Sequence, residues 1–174
     1  LHHHWPVAKH TALQLLDYFE DVEQRPDISR LSVHFYIGDR LYVREMTPET
    51  EAYSERSGVT PNVVGDLRSV LDDDPTKVLA LSHDPALIDQ LLNSLRQRYT
   101  PAELYFTKSI ATFFEAANPQ VNKGVAVKYL TETILGLSAE NVMAIGDNFN
   151  DVEMLEYAQI GVAMGNAPTE VKAF

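Results

Sequence analysis

The chain has no cysteine. Disulfides, thiolate metal sites and cysteine nucleophiles are therefore excluded, a composition that suits a cytoplasmic protein. Positive charge is also scarce, with 14 Lys and Arg against 25 Asp and Glu, a formal net charge of −11. Phosphate backbones and anionic lipid surfaces are held by clustered cations, so this balance argues against nucleic acid and against a membrane surface as partners. No apolar run approaches the ~20 residues that a membrane-spanning helix needs, and no signal-peptide pattern is visible. Internal repeats and low-complexity tracts are missing too.

What is present reads as globular: 174 residues, 45% hydrophobic and 22% charged, enough for one domain or two small ones. The opening Leu1 to Pro6 contains the run His2, His3, His4. A metal site, a tag remnant and a linker all fit that run. The linker is favoured, because no acid or further histidine stands nearby to complete a coordination shell. Glu170 to Phe174 reads as a helix in its first turns, so both ends are expected to be those of an excerpt from a longer protein.

Apolar residues at helical spacing predict a helix over 7–20, from Ala12, Leu13, Leu15, Leu16, Tyr18 and Phe19. Alternation then predicts strands over 31–36 and 40–44 joined by a turn at Ile37 to Asp39. Thr47 and Pro48 have the chemistry of an N-cap and first helical position, opening a helix to about Ser57. A short strand near Val63 and an exposed acidic loop at Asp72 to Asp74 follow. Further along come a buried strand over 77–82, a helix from the Asp84-Pro85 cap to Arg98, and a hairpin from 103–107 and 111–115. Helix and hairpins mixed in this way are an α+β signature.

At Asn118-Pro119 the character changes. A helix over 123–135, a buried strand over 141–145, a helix over 150–157 and a strand over 160–164 alternate as in a parallel, doubly wound sheet. The expected fold class is therefore α/β: part of a Rossmann-like core over 118–174, preceded by an α+β unit over 1–117.

The strand Val142 to Ile145 ends in Gly146 and then Asp147. An acid at the C-terminal tip of a parallel strand stands where open α/β sheets place ligand chemistry. Gly146 is expected to let the backbone turn tightly there. Asp147 reads either as the N-cap of the next helix or as a ligand for a hard cation such as Mg²⁺, which takes one or two carboxylates plus water and phosphate oxygens. Asn150 and Asp151 fall in the first turn after it. Asn150 can donate its amide to a phosphoryl oxygen. Asp151 can hold metal-bound waters, orient Lys123, or simply face the positive end of the helix dipole. Lys123 opens a helix, where that same dipole disfavours a cation. It is either a solvated surface lysine or a residue placed against local preference for function. Glu115 reads as a crevice residue or as a half-buried part of its hairpin, and Asn166 as a cap for the final helix. Tyr36, Arg40, Tyr42 and Arg44 read as ordinary hairpin faces, with reach toward a substrate as the alternative.

Three blocks in order, Asn122 to Gly124, Gly146 to Met154 and Val162 to Ala167, resemble the haloacid dehalogenase superfamily of phosphatases, specifically its Cof-type subgroup. The preceding region resembles that family's αβ cap in pattern. The resemblance implies Mg²⁺ as cofactor and a small phosphorylated metabolite, such as a sugar phosphate, as substrate. It implies that Asp147 binds the metal and that Asp151 supports its shell. Lys123 would steady the nucleophile and the transferring phosphoryl group, and Asn150 would bind phosphate. The family's nucleophile lies in an Asp-x-Asp-Gly-Thr context near the N-terminus, and a Ser or Thr follows on the next core strand. Nothing in this sequence matches either element. The expectation is thus a cap plus the C-terminal portion of a hydrolase core, inactive by itself, with part of the apolar face of 142–145 uncovered. A non-catalytic phosphate-binding or dimerisation module is the alternative. A signalling receiver using Asp147 as phosphoacceptor is weaker, because no acidic pair precedes it. Nothing in the sequence defines an oligomeric state.

Overall fold

A computed structural model describes residues 4–26, 28 and 30–174; His2 and His3 of the histidine run lie outside the described residues. The chain order opens with helix α1 (Lys9–Glu23), strands β1 (Ser32–Ile37) and β2 (Arg40–Val43), helix α2 (Pro48–Ser57) and strand β3 (Pro61–Val63). Strand β4 (Lys77–Leu81), helix α3 (Pro85–Arg96) and strands β5 (Tyr105–Lys108) and β6 (Phe113–Ala117) complete the first sheet. Then come α4 (Lys123–Lys128), β7 (Met143–Gly146), α5 (Val152–Tyr157), β8 (Ile160–Ala163) and α6 (Thr169–Lys172).

The first six strands form one sheet in the order β3-β2-β1-β4-β6-β5. Every neighbouring pair is antiparallel except β2 with β3. Strands β7 and β8 form a separate parallel pair. The α/β expectation holds, with the antiparallel α+β layer first and the parallel piece after it.

Local chemistry explains the elements. Gly38 and Asp39 adopt φ of 55° and 63°, a left-handed pair that joins β1 to β2 as a tight hairpin. The Thr47 side chain accepts from the Thr50 N–H and Pro48 occupies the first helical position, so α2 begins where expected. The helix expected over 123–135 is α-helical only to Lys128 and continues as a π-helix, Tyr129–Ile134. The acidic loop is exposed at Asp72, Asp73 and Asp74, as expected, and Asp74 also accepts the Lys9 N–H at 2.6 Å at the start of α1. His4 bonds Thr76 Oγ1 at 3.0 Å.

Side-chain alternation gives the sheet two unlike faces. One carries Val33, Phe35, Val78, Ala80, Phe106 and Phe114, buried against Leu15, Leu16 and Phe19 of α1 and Ile88 and Leu91 of α3. Each of these side chains larger than alanine stabilises the fold by roughly 1.5–3 kcal/mol on burial. The opposite face is covered by α2 only in part, where Tyr53 packs on Leu41, Val43, Leu79 and Leu81. Its remainder, Lys77, Tyr105, Thr107, Glu115 and Ala117, looks into a crevice.

Strand β7 is not buried throughout as its apolar run suggests; part of its apolar face is uncovered, as the resemblance implied. Ala144 and Gly146 are covered, but Met143 is 59% exposed and Ile145 55% exposed. Helix α5 covers one side of the β7-β8 pair, and no described element covers the other. Ile160 is bare beside them.

Candidate active site

The loop after β7 is organised by one carboxylate. Asp151, 4% exposed, accepts the Asp147 N–H at 2.9 Å and the Asn148 N–H at 3.2 Å on Oδ2, while its Oδ1 meets the Lys123 ammonium. With Asn148 as N-cap and Asp151 three residues on, this is a capping box: the acid satisfies backbone donors that a helix start leaves orphaned. Burial pushes the Asp151 carboxyl upward. The Lys123 amine and the two backbone N–H groups outweigh that effect, so the group rests below the ordinary carboxylate range.

Lys123, its side chain 49% exposed, is paired with Asp151. Asn122 caps α4 by accepting the Val125 N–H, which turns the lysine toward Asp151. The carboxylate offsets the unfavourable dipole at that position. Close approach of α4 and α5 depends on Gly124, where an added Cβ would lie 2.6 Å from the Glu153 carbonyl oxygen.

Gly146 serves a different purpose from the tight turn expected of it. Its φ is not positive; a Cβ there would fall 2.5 Å from Cβ of Asp151. The glycine makes room for the carboxylate rather than bending the chain.

Asp147 is not the N-cap of the following helix, since Asn148 takes that place. Its half-buried carboxylate accepts the Asn166 side-chain amide at 3.0 Å on Oδ2. Asn166 therefore does not cap α6, whose N-cap is Pro168. Sequence reasoning missed this partner, although Gly165 to Ala167 already stood out as a motif.

Among the described residues no three His, Asp or Glu side chains gather into a metal cage. One strand-tip carboxylate, Asp147, has its Oδ1 not engaged by Asn166, and alone it is a poor site for a hard cation, which would need further oxygen ligands from water and phosphate. A carboxylate offers about four lone-pair sites. Lys123 and two N–H groups occupy three of those on Asp151, which leaves it room for a metal-bound water at most.

Lys123 and Asn150 line a crevice of about 290 Å³ whose far wall is the uncovered sheet face, including Lys77, Tyr105, Thr107 and Glu115. Asp147 does not line it; it stands next to it, joined to Lys123 through Asp151. The loop is tied to the sheet by Asn148 Nδ2 donating to the Ser109 carbonyl at 2.7 Å and by Tyr105 O–H donating to Glu153 at 3.0 Å. Lys108 lies 4.8 Å over the Phe149 ring. Burial, with Glu153 nearby, raises the Tyr105 phenol above its ordinary value, so it stays protonated. Arg44 forms a bidentate pair with Glu23 and Tyr36 bonds Tyr53, so these two serve the fold, as ordinary hairpin faces would.

The description "haloacid dehalogenase-like hydrolase" belongs to the family model that matches residues 3–174. The chain belongs to the haloacid dehalogenase-like hydrolase family. A Haemophilus influenzae protein provisionally named a phosphatase is 34% identical over 142 residues, covering 82% of this chain and 52% of its own length. The Bacillus subtilis 5-amino-6-(5-phospho-D-ribitylamino)uracil phosphatase YcsE is 42% identical over 89 residues, 51% of this chain and 34% of that one. The structure of a haloacid dehalogenase-like hydrolase from B. subtilis superposes with a TM-score of 0.79 at 22% identity, over 100% of this chain and 66% of that one. This last likeness is one of fold. The chain spans about half the length of the Haemophilus relative. Among the described residues no helix is long and apolar enough to cross a membrane.

Proposed function

We propose that these residues belong to a cytoplasmic, Mg²⁺-dependent phosphomonoesterase of the Cof type that acts on a small phosphorylated metabolite of the sugar-phosphate kind. The observation that carries this is the Asp151 carboxylate, which holds the Lys123 ammonium at the crevice and the Asp147 backbone N–H beside it. An anion beside a divalent cation suits that charge pattern. Residues 118–174 act as the C-terminal part of the hydrolase core, and 1–117 as its cap with the N-terminal linker. The separation of the two sheets after Ala117 supports that division.

In this reading the aspartate nucleophile lies outside the 174 residues. The absence of an Asp-x-Asp-Gly-Thr stretch and the greater length of the relatives support it. Asp147 holds the metal and Asp151 supports its shell through water. Bound Mg²⁺ supplies charge neutralisation at the phosphoryl oxygens. Lys123, held on Asp151, adds a fixed positive charge where negative charge accumulates, and Asn150 donates its amide to the phosphate. YcsE, named for a phosphorylated ribityl compound, is consistent with a hydroxylated substrate tail.

Phosphate release from small phosphomonoesters, with Mg²⁺ and with EDTA, tests the reading. The 174-residue chain alone is expected to leave p-nitrophenyl phosphate intact. A complete protein with the upstream aspartate is expected to turn over phosphomonoesters only with Mg²⁺. Turnover by the isolated chain at an ordinary enzymatic rate would contradict it. The bare face at Met143 and Ile145 favours one second reading, a phosphate-binding or dimerisation module, and a complete protein without turnover would leave that one standing.

A further inference from the structure

The sheet wall opposite Lys123 carries a polar set that the proposed chemistry does not use. Strand alternation and register put Lys77, Tyr105, Thr107 and Glu115 on one face, with Thr107 directly across from Glu115 and with Tyr105 and Lys77 each paired to Ala117. Helix α2 covers the other end of that face and leaves these side chains to the crevice. Lys77 Nζ lies 3.4 Å from Glu115 Oε2 and 5.0 Å over the Tyr36 ring. Their side chains are 32% and 17% exposed, so the pair is partly desolvated yet open to a ligand.

We infer that Lys77 and Glu115, with Thr107 between crevice and sheet, form the subsite for the leaving group and select a neutral, hydroxyl-rich tail over one bearing a second anion. The inference rests on the phosphomonoesterase reading and deepens it. The pair has no net charge, so it offers no excess attraction to an ionic tail. An ammonium has three donors and a carboxylate several acceptor sites, and one contact between them leaves both with capacity. A vicinal diol matches that remainder, donating one O–H to Glu115 and accepting from Lys77. Thr107 adds a hydroxyl that can donate or accept. Tyr105 donates to Glu153 and faces the Thr107 hydroxyl, so it helps shape the wall. A carboxylate or second phosphate placed here would give up hydration in a partly desolvated gap with no net attraction from the neutral pair to offset it. The crevice of about 290 Å³ holds roughly ten waters' worth of liquid volume, the scale of a small polyol phosphate rather than of a nucleotide or peptide.

Calorimetric binding to the complete protein, in EDTA to prevent turnover, tests this, with glucitol 6-phosphate and 6-phosphogluconate as probes of equal length that differ in one terminal carboxylate. The wild-type protein is expected to prefer the polyol by about tenfold or more, and Glu115→Gln to reduce that preference to within about threefold. Lys77→Gln is expected to weaken glucitol 6-phosphate by about fivefold relative to inorganic phosphate. Equal binding of the two probes to the wild-type protein overturns the inference without need of any variant, as does a ratio unmoved by Glu115→Gln. Mg²⁺-dependent phosphate release by the complete protein is scored separately. Its absence sinks the phosphomonoesterase reading, whereas turnover of both probes with unaltered preference in the variants sinks only the subsite.

Discussion

Lys123 and Asp147 are joined by a third residue: Asp151 holds the lysine ammonium on one oxygen and the Asp147 backbone N–H on the other. Removing the cation strands a carboxylate that is only 4% exposed. Lys123→Met is therefore expected to lower stability by about 1–2 kcal/mol, toward the low end for a buried ionic group because the lysine is half in water. Urea unfolding measures it. In the complete protein the same substitution should reduce kcat about a hundredfold or more, as loss of a fixed transition-state charge does.

Gly146 admits no side chain while Asp151 stays in place. Gly146→Ala is expected to cost about 1–3 kcal/mol, since the new methyl and the Asp151 side chain compete for one volume. The displaced carboxylate should also release Lys123, visible as a change in the Lys123 Nζ proton resonance. An unchanged resonance with full stability would contradict the arrangement.

His34 is buried beneath α2, with Nε2 on Thr50 at 2.8 Å and its ring edge-on to Tyr53 at 5.2 Å. Among the described residues its Nδ1 has no partner, so an imidazolium would bury an N–H without an acceptor. Burial, aided by the Lys77 charge, lowers its pKa from 6.5 to about 4. Because the folded pKa lies below the unfolded one, the unfolded chain takes up a proton first as pH falls. Stability is full above about pH 6.5 and declines toward pH 4, by about 3 kcal/mol from this residue. His34→Gln should flatten that part of the pH profile in chemical denaturation.

Arg44 and Glu23 tie the end of α1 to β2, with side chains 10% and 12% exposed. Glu23 also accepts the Leu31 N–H at 2.6 Å, and Arg44 donates to the Leu31 carbonyl at 2.9 Å. Arg44→Met alone is expected to destabilise by about 3–5 kcal/mol, because a buried carboxylate loses its counter-charge. Adding Glu23→Gln should recover part of that loss. Additive effects in the double-variant cycle would show that the two do not act as a pair.

What could be read in the sequence was what neighbours decide. The Thr47-Pro48 helix start, the Gly38-Asp39 turn and the change of character after Ala117 depend on residues a few positions apart. The order β3-β2-β1-β4-β6-β5 was not legible, because contacts such as Lys77 to Glu115 join distant segments and leave no periodic trace. In the candidate site, Lys123, Asp147, Asn150 and Asp151 stood out by charge against local preference and by motif. Asn166 on Asp147 did not, since an asparagine ahead of a helix has a sufficient local use as a cap. The extra room made by Gly146 was also hidden, because a glycine's absent side chain is explained only by what fills the space.

The side of the six-stranded sheet that α2 leaves half bare has a consequence for how such a protein can diversify. Substitutions at Leu79 or Leu81 disturb the packing beneath α2, whereas Lys77 on the same strand and Glu115 on the neighbouring one bear on the crevice. Packing and crevice chemistry thereby meet on one surface, with Leu79 directly across from Glu115. A lineage can redraft the crevice positions only while their leucine neighbours keep the architecture intact.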